Sequence, residues 1–213
     1  MFDLERYRAD LLRLHDHICP RQVLGLRIGE LAGAYFGMAL PQADKRLFVF
    51  VETDGCFADG VMIAAGCSLG HRTMRLQDFG KIAATFVDTK TAPGRGVRIW
   101  PHPLARRRAA AYATGAQSRW HAQLAAYQVM PAEELLCIQP VELALSMQDI
   151  ISRPGVRAVC AACGEEIINE REVSREGSVL CRACAGEGRY YRAVNEAYGA
   201  AVPVAVADLL AYP

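Results

Sequence analysis

The chain has 213 residues, a formal net charge of +1 and eight cysteines. Hydrophobic residues make up 52% and charged residues 22%, which excludes a disordered chain, and the length allows one large domain or two smaller ones. The near-neutral balance argues against a nucleic-acid partner, whose footprint is usually a strongly basic face. The longest stretches free of Asp, Glu, Lys and Arg, 31–43 and 120–132, are 13 residues each. A membrane-spanning helix needs roughly 18 apolar residues, so a soluble protein with no membrane partner is expected. The start, Met-Phe-Asp-Leu-Glu-Arg-Tyr-Arg, has no apolar signal core, which points to a cytoplasmic protein. Cysteines there signify metal or thiol chemistry rather than disulfides.

In chain order, residues 3–14 read as an amphipathic helix, with Asp3 as its cap and Leu4, Tyr7, Leu11 and Leu14 on one face. It runs into His15-Asp16-His17-Ile18-Cys19-Pro20. A second helix is predicted over 20–37, with Pro20 in its first turn and Cys19 at the cap. A thiol there feels the positive end of the helix dipole, which favours thiolate. On extended backbone His15 and His17 can share a site with Cys19, and imidazole with sulfur suits zinc or a related transition metal. Gly25, Gly29, Gly33 and Gly37 recur at i, i+4 in this helix, which predicts close approach of another backbone, within the chain or across a dimer.

Residues 46–53 read as a buried strand, leading through Asp54-Gly55 to Cys56, at the start of a third helix ending at Gly66. Cys56 is thus a second thiol at a helix start, and Asp59 lies one turn on, on roughly the same face. Residues 74–76, 81–87 and 96–100 read as strands, the last two forming a hairpin. Lys81 stands out because lysines are so few, at positions 45, 81 and 90. One or two helices broken near Gly115 are expected over 104–128, then a short turn at 131–135 and a strand at 137–141 whose Cys137 belongs to the core. Residues 147–155 read as a linker.

The last four cysteines form C-x2-C-x17-C-x2-C at Cys160, Cys163, Cys181 and Cys184, the spacing of a closed four-thiolate zinc site. A knuckle, a hairpin, the second cysteine pair and a helix over 187–198 give a treble-clef-like order. Residues 153–192 carry seven basic and six acidic side chains, too even a balance for a DNA reader. The finger's role is to staple a small domain that lacks its own core. The expected architecture is α+β: a mixed core domain over 1–150, then a zinc-finger domain and tail over 151–213. The tail, 202–210, is apolar enough to dock.

The combination of His-x-His-x-Cys-Pro, Leu24-Gly25-x-Arg27-x-Gly29, Glu52-Thr-Asp-x-Cys56-x-x-Asp59, Gly66-Cys67-x-Leu-Gly70, Asp78-Phe-Gly-Lys81 and the terminal finger resembles the E-type family of formylmethanofuran dehydrogenase subunits. The resemblance covers roughly 10–100 and 158–186. It implies an α+β core, often dimeric, and association with a molybdenum or tungsten oxidoreductase. The family's motif residues map onto His15, His17, Cys19, Cys56, Asp59, Cys67 and Lys81. Of these, His17, Cys19, Cys56, Asp59 and Lys81 would carry the chemistry, and His15, His17, Cys19, Cys56 and Cys67 would ligate a second transition metal beside the structural zinc. Asp16 and Arg21 stand where the family often has glycine, and Phe79 where tyrosine is common. No reaction follows from the resemblance, so catalysis stays open. So do a thiol or sulfur-transfer accessory role without metal, and a zinc-finger regulator of the DksA/TraR type acting through protein contacts. The plainer alternative makes Cys56 and Cys67 small buried hydrophobes and the histidines surface residues.

Overall fold

A computed structural model describes residues 2–90, 94–151 and 155–191. They fall in two compact units, Met1–Ile151 and Ser152–Pro213. In the first unit, α1 (Glu5–Leu14) buries Tyr7 and Leu11. Asp3 Oδ1 accepts the Glu5 N–H at 3.0 Å, satisfying one free donor of its first turn. The second helix, α2 (Pro20–Phe36), starts at extended Cys19 and stops at Gly37, whose φ of 61° is the left-handed helix stop. Then follow β1 (Leu47–Val51), α3 (Cys56–Ala65), β2 (Met74–Leu76), β3 (Ala84–Asp88) and β4 (Arg95–Pro101). The unit closes with α4 (Ala105–Tyr112), α5 (Arg119–Val129), α6 (Ala132–Leu135), β5 (Leu136–Glu142) and α7 (Met147–Ile151).

The sheet order is β2-β1-β3-β4-β5. Only the β1–β2 pair is parallel, with Val49 opposite Met74; the chain returns to it through α3. Alternation along β1 divides its side chains between two cores. Leu47, Val49 and Val51 pack with Val23, Ile28, Phe57 and Val61 under the helices. Phe48 and Phe50 face the other way and pack with Val87 and Met147.

The glycine stripe has an intramolecular explanation. A Cβ on Gly25 would lie 2.3 Å from the Phe57 carbonyl oxygen, and one on Gly29 2.5 Å from the Ala64 Cβ. From the other side, a Cβ on Gly60 would lie 2.3 Å from the Gln22 carbonyl oxygen. Helices α2 and α3 therefore pack with almost no side-chain spacing, from Gln22 to Gly29 on one and from Phe57 to Ala64 on the other. Arg27, one turn along, donates to the carbonyls of Tyr127, Gln128 and Met130, satisfying acceptors that the end of α5 leaves open.

Three expectations need correction. Residues 147–151 are α7, with Met147 only 6% exposed, so any linker is shorter than 147–155. Cys137 is half-buried on the edge strand β5, opposite Trp100, not in the core. The third concerns the second unit, which holds two hairpins: β6 (Arg157–Val159) with β7 (Glu166–Ile168), and β8 (Val173–Arg175) with β9 (Ser178–Leu180). Here residues 187–191 are not helical. Gly186 and Gly188 both take positive φ, 88° and 90°, which interrupts a right-handed helix. The rest of that predicted helix and the apolar tail lie outside the described residues. The buried hydrophobic residues of this unit, among those described, are Cys160, Ile167 and Ala185. Too little apolar surface is buried there to hold a fold without a staple.

Candidate functional site

In the second unit the four cysteines converge from two turns. Cys160 and Cys163 occupy the turn between β6 and β7, and Cys181 follows β9 directly. All four sulfurs lie within 4.8 Å of one another. Cys163 Sγ and Cys181 Sγ are 4.0 Å apart, close to the edge of about 3.8 Å that a tetrahedron with metal–sulfur distances of about 2.3 Å requires. Backbone amides aim at the sulfurs: the Cys181 N–H donates to Cys160 Sγ at 3.2 Å and the Cys184 N–H to Cys181 Sγ at 3.4 Å. The Arg189 guanidinium reaches Cys184 Sγ at 3.5 Å. The Cys181 amide, followed by that of Cys163, brings the Cys160 thiol down to about 6. Four soft donors in amide-lined turns fit a metal such as zinc.

The first unit builds a different arrangement at the C-terminal end of β1. The Glu52 backbone oxygen accepts the N–H groups of Phe79 and Lys81, at 3.0 and 3.1 Å, and the Glu52 N–H donates to Ala83 at 2.9 Å. One residue thus holds the 78–83 loop against the start of the β1–α3 turn. The Glu52 carboxylate takes both arms of Arg98, at 2.6 and 2.7 Å, and the guanidinium lies 4.9 Å from the Trp100 ring centroid. Gly55, at φ 75° and ψ −161°, occupies backbone space that essentially only glycine adopts. This turn sets Cys56 as the first residue of α3.

Across from it, Cys19 caps α2, and its N–H donates to Gln22 Oε1 at 2.7 Å. Gln22 is wholly buried, and its Nε2 has no hydrogen-bond partner among the described residues. With the first turn of each helix packed on the second turn of the other, the two thiols become neighbours. Cys19 is 7% exposed and Cys56 half-buried. A lowered Cys56 pKa is the expectation from its place at a helix start, yet the structure reverses the sign. Burial pushes the Cys56 thiol up, the adjacent Cys19 pushes it further, and the favourable backbone amide does not offset both.

His15 Nε2 pairs with Asp59 Oδ2 at 2.8 Å, one turn after Cys56 on α3. An imidazole held by a carboxylate through one nitrogen is the usual arrangement of a metal-binding histidine. His17 is exposed, with its ring 6.3 Å from that of Trp120, a residue that no motif signals. Lys81 reaches this end of the strand through its backbone, while its side chain is exposed. Cys67 is not brought there. Its thiol donates to the carbonyl of Leu47, the first residue of β1, about 13 Å of strand from the end that leads to Cys56. Burial raises it to about 11, as for an inert packed thiol. Among the described residues, only the finger cysteines set three or more ligand atoms within 4.8 Å of one another. Gln22 and Arg98 also escape sequence reasoning, because their roles depend on contacts made across the fold.

No helix of the described residues is long and apolar enough to cross a membrane. Comparison with known proteins shows a protein of Archaeoglobus fulgidus, described as a probable S-adenosyl-L-methionine-binding protein, to be 36% identical over 89 residues. That alignment covers 40% of this chain and 24% of the relative, so the chain spans about a quarter of the relative's length. Among solved structures, a tungsten formylmethanofuran dehydrogenase FmdE-like protein from Syntrophus aciditrophicus superimposes with a TM-score of 0.57. It is 19% identical, and the match covers 88% of this chain and 94% of that one, a likeness of fold. Residues 14–137 match the family model described as FmdE, molybdenum formylmethanofuran dehydrogenase operon. The match takes in more than half of the chain, including every motif residue from His15 to Lys81, and the chain belongs to the FmdE family.

Proposed function

We propose that this FmdE protein is a cytoplasmic metal-binding partner of a molybdenum or tungsten oxidoreductase, with structural zinc in the finger and a second transition metal at the core thiols. The observation that carries the reading is the packing of α2 on α3 near their N-termini, with Cys19 beside Cys56 and the His15–Asp59 pair one turn away. Cys19 and Cys56 would supply thiolates and His15 the imidazole. Asp59 would orient His15, and exposed His17 is a further ligand within the same segment. Small side-chain rotations must gather these donors, and the bound cation must displace the thiol protons. Both helix ends carry partial positive charge, which stabilises the thiolates so formed. A metal bound there would supply Lewis-acid or redox chemistry to a one-carbon substrate. A homodimer is expected on the family resemblance alone, since the glycine stripe is used within the chain.

The test is elemental analysis of anaerobically purified protein. The expected result is two transition-metal ions per chain, falling to one in Cys19→Ser and in Cys56→Ser, while Cys67→Ser keeps both. One ion per chain, unaffected by the first two substitutions, refutes the second site.

A further inference from the structure

We infer that Cys19 and Cys56 form a reversible disulfide, making the core site a redox-controlled one that holds its metal only when reduced. The inference rests on the metal reading above and adds its regulation. Three features of the fold support it. First, the approach of the two chain segments is fixed by backbone, not by flexible side chains. Gln22, one turn after Cys19, has its carbonyl 2.3 Å from where a Gly60 Cβ would stand, and Phe57, next to Cys56, has its carbonyl equally close to a Cβ on Gly25. The two first turns cannot drift apart without opening the α2–α3 contact.

Second, the pair is isolated from competing thiols. Cys67 is held by the Leu47 carbonyl at the other end of β1, and Cys137 sits on edge strand β5 beside Trp100. Within the core unit each member of the pair therefore has the other as its sulfur neighbour. Third, the two differ in access: Cys56 is half-buried, whereas Cys19 is almost fully covered. That division suits an attacking and a resolving thiol. The oxidant is a low-molecular-weight disulfide. The Cys56 thiol gives up its proton as its sulfur attacks one sulfur of the oxidant, giving a mixed disulfide and releasing one small thiol. Cys19 then attacks the Cys56 sulfur and releases the second. Two electrons pass to the oxidant, the two protons end on the released thiols, and one S–S bond is exchanged for another. Both sulfurs are consumed, so a metal they held loses two of its ligands.

The experiment uses the full chain, reduced and purified anaerobically, then equilibrated with mixtures of reduced and oxidised glutathione. Samples are acid-quenched, alkylated and digested with trypsin for mass spectrometry, with metal content measured in parallel. The expected product joins the Leu14–Arg21 peptide to the Leu47–Arg72 peptide with loss of two hydrogens. It persists in Cys67→Ser, is absent in Cys56→Ser, and appears at poises where the finger peptides remain alkylated. Metal beyond the finger's falls in step with it. Stable glutathione adducts on Cys56 without the cross-link, or a link through Cys67, overturn the inference. A core metal that stays bound while no cross-link forms overturns it too and leaves the metal site standing. The cross-link without any core metal in the reduced protein keeps the disulfide and removes the control of metal.

Discussion

The contact between α2 and α3 should be the most sensitive point of the core, and Gly25→Ala tests it. In an isolated helix this change stabilises by about 1 kcal/mol, because alanine has the higher helix propensity. Here the added methyl would meet Phe57 O at 2.3 Å, Val61 N at 2.8 Å and Gly60 Cα at 2.9 Å. All three are backbone atoms, so no rotamer change relieves the clash. Real Cβ atoms essentially never approach closer than 3.0 Å, so the helices must part by about 0.7 Å or more. Parting them loosens Val23, Phe57 and Val61 in a close-packed cluster, and overpacking of this kind costs about 1–3 kcal/mol. A net loss of about 2 kcal/mol is therefore expected despite the gain in propensity. Trp100 and Trp120 are the protein's two tryptophans and both lie in the first unit, so urea unfolding followed by fluorescence reads the core alone. Gly33→Ala is the milder comparison, because its added methyl would meet the Leu40 side chain at 2.8 and 3.0 Å and only one backbone atom, the Met38 carbonyl oxygen, at 3.1 Å. The reasoning fails if Gly25→Ala is as stable as wild type, or more so.

Two further predictions concern polar groups. Glu52→Gln removes the charge that pairs with both arms of Arg98, and core stability should drop by about 1–3 kcal/mol; this is discounted because Arg98 keeps part of its surface in water. An unchanged urea midpoint would mean that the pair is energetically neutral. Burial and the Glu30 partner push the Tyr7 hydroxyl up to about 12 from 10. The folded state thus holds this proton more tightly than the unfolded one, and the stabilisation is complete below pH 10 and lost as pH rises toward 12. Tyr7→Phe should flatten that part of the stability–pH curve relative to wild type; parallel curves would refute the assignment.

The elements whose ends carry strong local chemistry are legible in the sequence. Pro20 and Gly37 bound α2, Gly66 ends α3, and the apolar run 47–51 is β1. What cannot be read there depends on partners distant in the chain. The glycine stripe implies a close backbone, but only Gly60, thirty-five residues on from Gly25, identifies it as α3. Cys67 follows Cys56 by eleven residues, nearly all in α3, and a helix of that length carries it back along the strand and away from the other thiols. The sign of the Cys56 shift is unreadable for the same reason. The helix-end effect is local, whereas burial and the Cys19 neighbour come from packing. Within 187–191, the described start of the helix predicted after Cys184, the prediction fails on a local cue, since Gly186 and Gly188 take positive φ and supply the interruption.

The motif residues of the core divide by the kind of constraint they meet. Gly25 admits a backbone, Arg27 closes the end of α5, and Glu52 pins a loop with its backbone while its carboxylate holds β4. These positions fix the scaffold; His15, Cys56 and Asp59 meet no comparable packing constraint, and Cys19 beside them also caps α2. The departures from the family pattern follow a different rule. Asp16, Arg21 and Phe79 are all exposed, the first two flanking Cys19 in sequence and the third on the loop that Glu52 holds. A side chain in place of glycine at 16 and 21 adds a negative and a positive group at the surface near the thiols. Phenylalanine at 79 presents an apolar ring without tyrosine's hydroxyl. None of the three alters the buried neighbours of Cys19 and Cys56. All three therefore change the exposed surface around the thiols rather than the packing beneath them.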